Sequence, residues 1–271
     1  MWRLTTILPA LLLLLPAGPV LLAGSLILAR PGLAAPLDRG DLRIAVETNQ
    51  PPFSDQLDDG SWAGFNIDVA RALCERLRTS CSFVPSSIVE FEALLRARAA
   101  DMAPGIAITA NRRQNFDFTA PYYAAPSRFV APRGRALDIS PTGLAGKIVG
   151  VQRGTTQAAF AAATYAGVEL RQYADRTELY LDLALGRLDA VLANEVVARA
   201  QFLTTPLGAN FDFVGPVLDD PAWFGEGVGI AIRKGDTQLL AALDEALQGL
   251  RADGTFEAIR AGYFTFQIEG D

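Results

Sequence analysis

Leu42-Arg-Ile-Ala-Val46 alternates apolar and polar positions with a period of two, which predicts a strand, and Gln50-Pro-Pro-Phe53 breaks it into a loop. The period then changes. Val69, Ala70, Leu73, Cys74 and Leu77 recur at helical spacing behind Asn66, a residue able to cap that helix. Phe91–Arg98 predicts another helix and Asp101–Ile108 a short buried strand. Lys147-Ile-Val-Gly-Val151 reads as a strand that runs directly into Gln152-Arg-Gly-Thr-Thr-Gln157 and an alanine-rich helix. Leu179–Leu185 is helical and stops at Gly186, Ala190–Leu192 is a strand, and Glu195–Phe202 a helix. Gly227–Ile232 is the last strand, followed by a helix from about Thr237 to Arg251 and a turn at Asp253-Gly254. Strands that alternate with helices predict an α/β protein with mostly parallel sheets. In such sheets solutes sit where loops leave the carboxyl ends of strands, which marks 47–53, 104–112, 152–157 and 193–195.

Residues 1–35 depart from this pattern. Arg3 precedes a leucine-rich uncharged run, and Arg30-Pro-Gly-Leu-Ala-Ala follows it, the layout of a secretory signal peptide cleaved near Ala34 or Ala35. The run is also long enough to span a membrane as a retained anchor, but Pro9, Pro16 and Pro19 interrupt it and favour cleavage. No cysteine near the cleavage region offers a site for a lipid anchor. Losing a leader with two arginines and no acid takes the formal charge from −6 to −8. An acidic exported chain suits neither nucleic acid nor anionic lipid. About 236 remaining residues fill one large domain or two small ones.

Histidine is absent, which removes the usual neutral-pH general base, His-paired nucleophiles and His-ligated zinc. Two thiols alone do not make a metal site, so no metal or cofactor is expected. In an exported chain Cys74 and Cys81 are expected to form one short-loop disulfide.

Three stretches could carry binding chemistry. Gly154-Thr155-Thr156-Gln157 opens a helix behind a strand, and such a turn offers N–H groups and a helix dipole to an anion; an ordinary capping threonine has the same pattern. In Thr109-Ala-Asn-Arg112-Arg113 a buried guanidinium would present paired donors to a carboxylate, whereas two solvated arginines at a helix start would look identical. Glu47 follows a strand end, with Asp58 and Asp59 beyond Phe53, and Asn194-Glu195 occupies the matching place in the second half; such acids could receive a cation or simply decorate surface loops.

Taken together, several stretches resemble the bacterial extracellular solute-binding proteins of family 3, the polar amino-acid receptors of ABC importers, and the lysine/arginine/ornithine and histidine receptors among them. They are Pro51-Pro-Phe-Ser54, Gly64-Phe-Asn-Ile-Asp68, Cys74 to Cys81, Ile108-Thr-x-x-Arg112, Phe118-Thr-x-Pro-Tyr-Tyr123, Gly146–Gln157, Gly186-Arg-Leu-Asp-Ala190, Phe224–Gly229, Arg251–Thr255 and Tyr263–Asp271. The resemblance implies a type II periplasmic-binding-protein fold, with two α/β lobes joined by two crossover hinges that close on a solute. Lobe 1 is expected over 36–124 and 222–271, and lobe 2 over 125–221. It further implies a periplasmic monomer that hands a small carboxylate-bearing amino acid or derivative to an ABC permease.

Carried onto this chain, the carboxylate-binding arginine falls on Arg112 rather than Arg113, with the Thr156 N–H opposite and Thr155 and Gln157 beside it. Gly105 lies in the same wall, and Glu47 sits where basic amino-acid receptors place an acid for the solute's distal cation. The family pattern also breaks. Asn194 replaces the acid that meets the α-ammonium, Ala107 replaces a hydroxyl-bearing residue, and Gln50 and Ile88 stand at the usual aromatic positions. These departures suit a carboxylate whose nitrogen is substituted or absent, such as an opine-like compound. Two other classes share the resemblance: a ligand-poor sensor or accessory module, and a cyclohexadienyl dehydratase, which would need Glu47 or Glu195 as its acid.

Overall fold

In a computed structural model, residues 2, 40–124 and 126–264 are described, so the 1–35 leader apart from residue 2, positions 36–39 and the tail after Phe264 lie outside the described residues. In chain order the elements are β1 (Leu42–Val46), β2 (Asp55–Gln56), β3 (Trp62–Ala63), α1 (Phe65–Leu77), β4 (Cys81–Pro85), α2 (Phe91–Arg96), β5 (Met102–Ala107), β6 (Phe116–Phe118), β7 (Ser127–Pro132), β8 (Ile148–Gln152) and α3 (Thr156–Thr164). They continue with β9 (Glu169–Tyr173), α4 (Arg176–Ala184), β10 (Ala190–Asn194), α5 (Glu195–Ala198), β11 (Phe211–Leu218), α6 (Pro221–Phe224), β12 (Val228–Arg233), α7 (Thr237–Ala252) and α8 (Thr255–Tyr263).

The strands form two five-stranded sheets, β4-β1-β5-β12-β6 and β11-β7-β10-β8-β9, and β2 pairs with β3 in a small hairpin. The chain passes between the sheets twice, from β6 to β7 and from β11 to β12, which gives a two-lobed α/β fold. Both sheets are mixed rather than mostly parallel. β1 is parallel to β4 and β5, while β12 is antiparallel to β5 and β6. β8 is parallel to β9 and β10, while β7 is antiparallel to β10 and β11. The reason is local: parallel neighbours need a crossover of a dozen or more residues, and the antiparallel strands β6, β7, β11 and β12 adjoin the passages between sheets instead.

Both faces of each sheet are covered. On one face of the first, Leu73 and Leu77 of α1, Leu243 and Leu247 of α7 and Phe256 of α8 pack over Ile44 and Ile230. On the other, Phe91 and Leu95 of α2 meet Ile106, Phe116 and Phe118. The second sheet is sandwiched by Ala158 and Ala161 of α3 on one side and by Leu179, Tyr180 and Leu183 of α4 on the other. Burial on two faces explains why the strand patterns read as nearly continuous apolar runs.

Two local expectations change. Gly64, with φ of 124°, precedes the first turn of α1, so Asn66 is inside the helix; its Oδ1 accepts from Tyr122 Oη at 2.7 Å and ties α1 to the Tyr122-Tyr123 segment. A Cβ on Gly64 would stand 2.4 Å from the Phe53 carbonyl oxygen, a close approach that only glycine allows. The second is that α4 begins at Arg176, three residues before the apolar pattern suggested, because Asp175 caps it through the N–H groups of Thr177 and Glu178. The disulfide forms between Cys74 and Cys81 and pins the last turn of α1 to the start of β4.

Candidate functional site

A cavity of about 90 Å³ lies between the two sheets, several times the roughly 10–15 Å³ that a single water needs. All ten residues expected at the site line it: Glu47, Gln50, Ile88, Gly105, Ala107 and Arg112 from the first half, and Thr155, Thr156, Gln157 and Asn194 from the second. They arrive there because β1, β5, β8 and β10 all end at the cleft, as open α/β sheets require.

Arg112 begins a short 3₁₀ turn after β5, positioned by the Thr109 hydroxyl, which accepts from its backbone N–H at 3.2 Å. Its guanidinium reaches across the cleft. Nη1 donates to the Ala107 carbonyl at 3.2 Å and Nη2 to the Gly154 carbonyl of the opposite half at 3.1 Å. Both acceptors are neutral. Burial pulls its pKa down to about 10, with only partial compensation from Glu47. The group is still a cation at neutral pH, desolvated and without a carboxylate in contact among the described residues. Arg113, by contrast, is exposed and pairs with Glu226 at 3.0 Å, outside the cavity.

Facing Arg112 is the start of α3. Thr155 is its cap: Oγ1 accepts from the Ala158 N–H at 3.2 Å and donates to the Gln152 carbonyl at 2.7 Å, so this hydroxyl serves the helix. Thr156 is the first helical residue, where backbone N–H groups have no partner within the helix. Gln157 is buried and donates to Ser127 Oγ at 2.7 Å while accepting from Thr156 Oγ1 at 3.3 Å, which leaves its amide tied to the wall. Asn194 caps α5, its Oδ1 accepting from the Val197 N–H at 3.0 Å. Gly105, Ala107 and Ile88 complete the apolar part of the surface.

Glu47 is bound more tightly than its sequence context suggested. Its Oε2 pairs with Arg176 Nη2 at 3.0 Å and its Oε1 accepts from Gln152 Nε2, also at 3.0 Å. In the amide orientation that matches donors to acceptors, Gln50 donates to Glu47 and accepts from Arg176, each at 3.2 Å. The two charged side chains are only 10% and 11% exposed, so this ion pair crosses the cleft in a largely dry place. Arg176 was the main residue missed from sequence; the Asp175-x-x-Glu178 capping spacing is the signal that could have placed it at a helix start in the cleft. Tyr123, Tyr180, Phe53 and Phe224 also line the cavity. Tyr123 stacks on Phe53 with ring centroids 5.0 Å apart, and Tyr180 stacks on Phe202 at the same separation. The other acids considered stand apart: Glu195 pairs with Arg199 at 3.0 Å, and Asp59 accepts from Ser61 in an exposed turn.

The pattern of the bacterial extracellular solute-binding proteins, family 3, matches residues 42–266. The L-arginine-binding protein of Pseudomonas aeruginosa is 41% identical over 232 residues, covering 84% of this chain and 90% of that one. The lysine/arginine/ornithine-binding periplasmic protein of Escherichia coli is 39% identical over 236 residues, covering 85% and 90%. Among solved structures, an ancestral arginine-binding protein bound to arginine superposes with a TM-score of 0.76 at 32% identity, covering 83% of this chain and 99% of that one. An ancestral arginine-binding protein bound to glutamine gives 0.75 at 33% identity, covering 84% and 99%. The chain belongs to the bacterial extracellular solute-binding proteins of family 3.

Proposed function

We propose that this protein is a periplasmic receptor that closes on a small carboxylate-bearing amino acid or derivative and presents it to an ABC importer in the inner membrane. The observation that carries this reading is Arg112, a desolvated cation in the cleft whose guanidinium touches only neutral carbonyls and faces the N-terminus of α3. A carboxylate between them would satisfy the guanidinium from one half and the Thr156 N–H from the other, so a single solute would join both. The lobes we assign to it are 36–124 with 222–271, and 125–221, which follows the division of strands between the sheets. Export by the 1–35 leader suits relatives that carry the word periplasmic in their names.

Binding rather than catalysis is favoured by the acids. Glu47 is the one acid that lines the cavity, and it is held by Arg176, while Glu195 lies outside it. Calorimetry against free amino acids and organic acids tests the reading. Replacing Arg112 by Ala is expected to weaken any carboxylate solute by about 100-fold or more, since charge-assisted hydrogen bonds contribute about 1.5–3 kcal/mol each. An unchanged affinity would remove Arg112 from the site.

A further inference from the structure

The receptor reading leaves open what the far end of the cleft recognises, and the inference here rests on that reading. The charged residues that line the cavity are Glu47, Arg112 and Arg176. Both oxygens of Glu47 are already engaged, one by Arg176 and the other by Gln152. A cationic side chain entering from a solute would therefore meet an acid that the protein has neutralised with its own guanidinium. It would also meet that guanidinium, at close range in a dry pocket, where like charges repel strongly.

One helical turn after Arg176, on the same wall of α4, Tyr180 supplies a second clue. The residue is 3% exposed and its ring is fixed against Phe202, yet its hydroxyl has no hydrogen-bond partner among the described residues. Buried hydroxyls nearly always have one. Burial raises its pKa while nearby Arg176 works the other way, and the phenol keeps its proton at neutral pH and can donate it. A second carboxylate is a poor occupant, because Glu47 already balances Arg176 and would repel it. Arg176 and Tyr180 both line the cavity, and an uncharged acceptor, such as a carbonyl, is the chemistry that suits a phenolic O–H beside a neutralised guanidinium.

We propose that Arg176 and Tyr180 make this cleft select solutes with a carboxylate at one end and an uncharged hydrogen-bond acceptor at the other, and reject the cationic side chains of arginine and lysine. L-citrulline and L-arginine provide the test, since they match in length and backbone and differ in a ureido carbonyl against a guanidinium. Calorimetry on the purified protein is expected to show citrulline bound at least about tenfold more tightly. Tyr180→Phe, which keeps the ring stack, is expected to weaken citrulline several-fold and arginine less, so that the preference for citrulline narrows. Arg176→Met frees Glu47 and is expected to improve arginine by about tenfold or more. If the unaltered protein binds arginine as well as citrulline or better, the proposal is wrong while the receptor reading stands. Binding of neither solute, by the unaltered protein or by Arg176→Met, would overturn the proposal, while the receptor reading falls only if the wider set of amino acids and organic acids also fails to bind.

Discussion

Arg112 sets the pH behaviour of the cleft. In the unfolded chain its pKa is that of a free guanidinium, and in the empty fold burial lowers it to about 10. The folded state therefore holds the proton less tightly, so this group opposes folding at neutral pH, and that opposition fades as pH rises through 10 toward the ordinary value. A bound carboxylate reverses the balance by favouring the charged form. Above about pH 10 the empty receptor must regain a proton to bind, and affinity is expected to fall up to about tenfold per pH unit, while it stays level from pH 6 to 9. Titration calorimetry across that range, corrected for the solute's own ionisation, checks this; a level profile past pH 10.5 would show that binding there takes up no proton at Arg112. Individual residues were the best-read scale from sequence, with Arg112, Thr156 and Glu47 all reaching the cavity. Their partners were not readable. Glu47 and Arg176 are 129 positions apart, and nothing local in either segment announces that they touch.

The element that matters most is α3, whose position depends on Thr155. Replacing it by Ala removes an acceptor for the Ala158 N–H and a donor to the Gln152 carbonyl, at a cost of about 1 kcal/mol. For a domain of this size that corresponds to a melting shift of roughly 2–4 °C. Solute affinity is expected to fall with it, because the first turn of α3 faces Arg112; thermal melts and calorimetry on the same variant read both, and a loss of stability with intact affinity would show that the turn does not seat the solute. Strong elements such as α1, α7, β8 and β12 were legible because their apolar spacing is regular over many residues. The strands β4, β7, β9 and β11 were not. β11 carries Gly215 and Pro216 inside it, β7 and β4 end in proline, and β9 alternates weakly with only partial burial, so each lacks a clean period. Helix α8 follows α7 after a two-residue break at Asp253-Gly254, which reads as an ending rather than a corner.

Across the whole molecule, the halves meet through Glu47 and Arg176, through Gln201 Nε2 donating to the Asn49 carbonyl at 2.9 Å, and through the loop at Ile88-Val89 lying over Gly154. Gly154 has φ of 77°, and a Cβ there would sit 2.6 Å from Val89 Cγ1 and 3.3 Å from Ile88 Cγ2. Gly154→Ala is thus expected to strain the turn by about 1 kcal/mol and to wedge the halves apart as well. Affinity should drop by about tenfold or more with only a small fall in melting temperature, and small-angle scattering should report a larger radius of gyration. An unaltered radius would mean that the loop yields instead of the lobes.

Because Glu47 and Arg176 tie one jaw to the other, part of the grip that holds the jaws together comes from the carrier itself. A transporter that gauged jaw angle alone would then accept a cargo-free visit whenever this clasp closed unaided. A membrane partner would have to sense the seated molecule through stiffness or lifetime, and because the clasp is largely dry, the salt around the carrier would alter the rate of idle visits little.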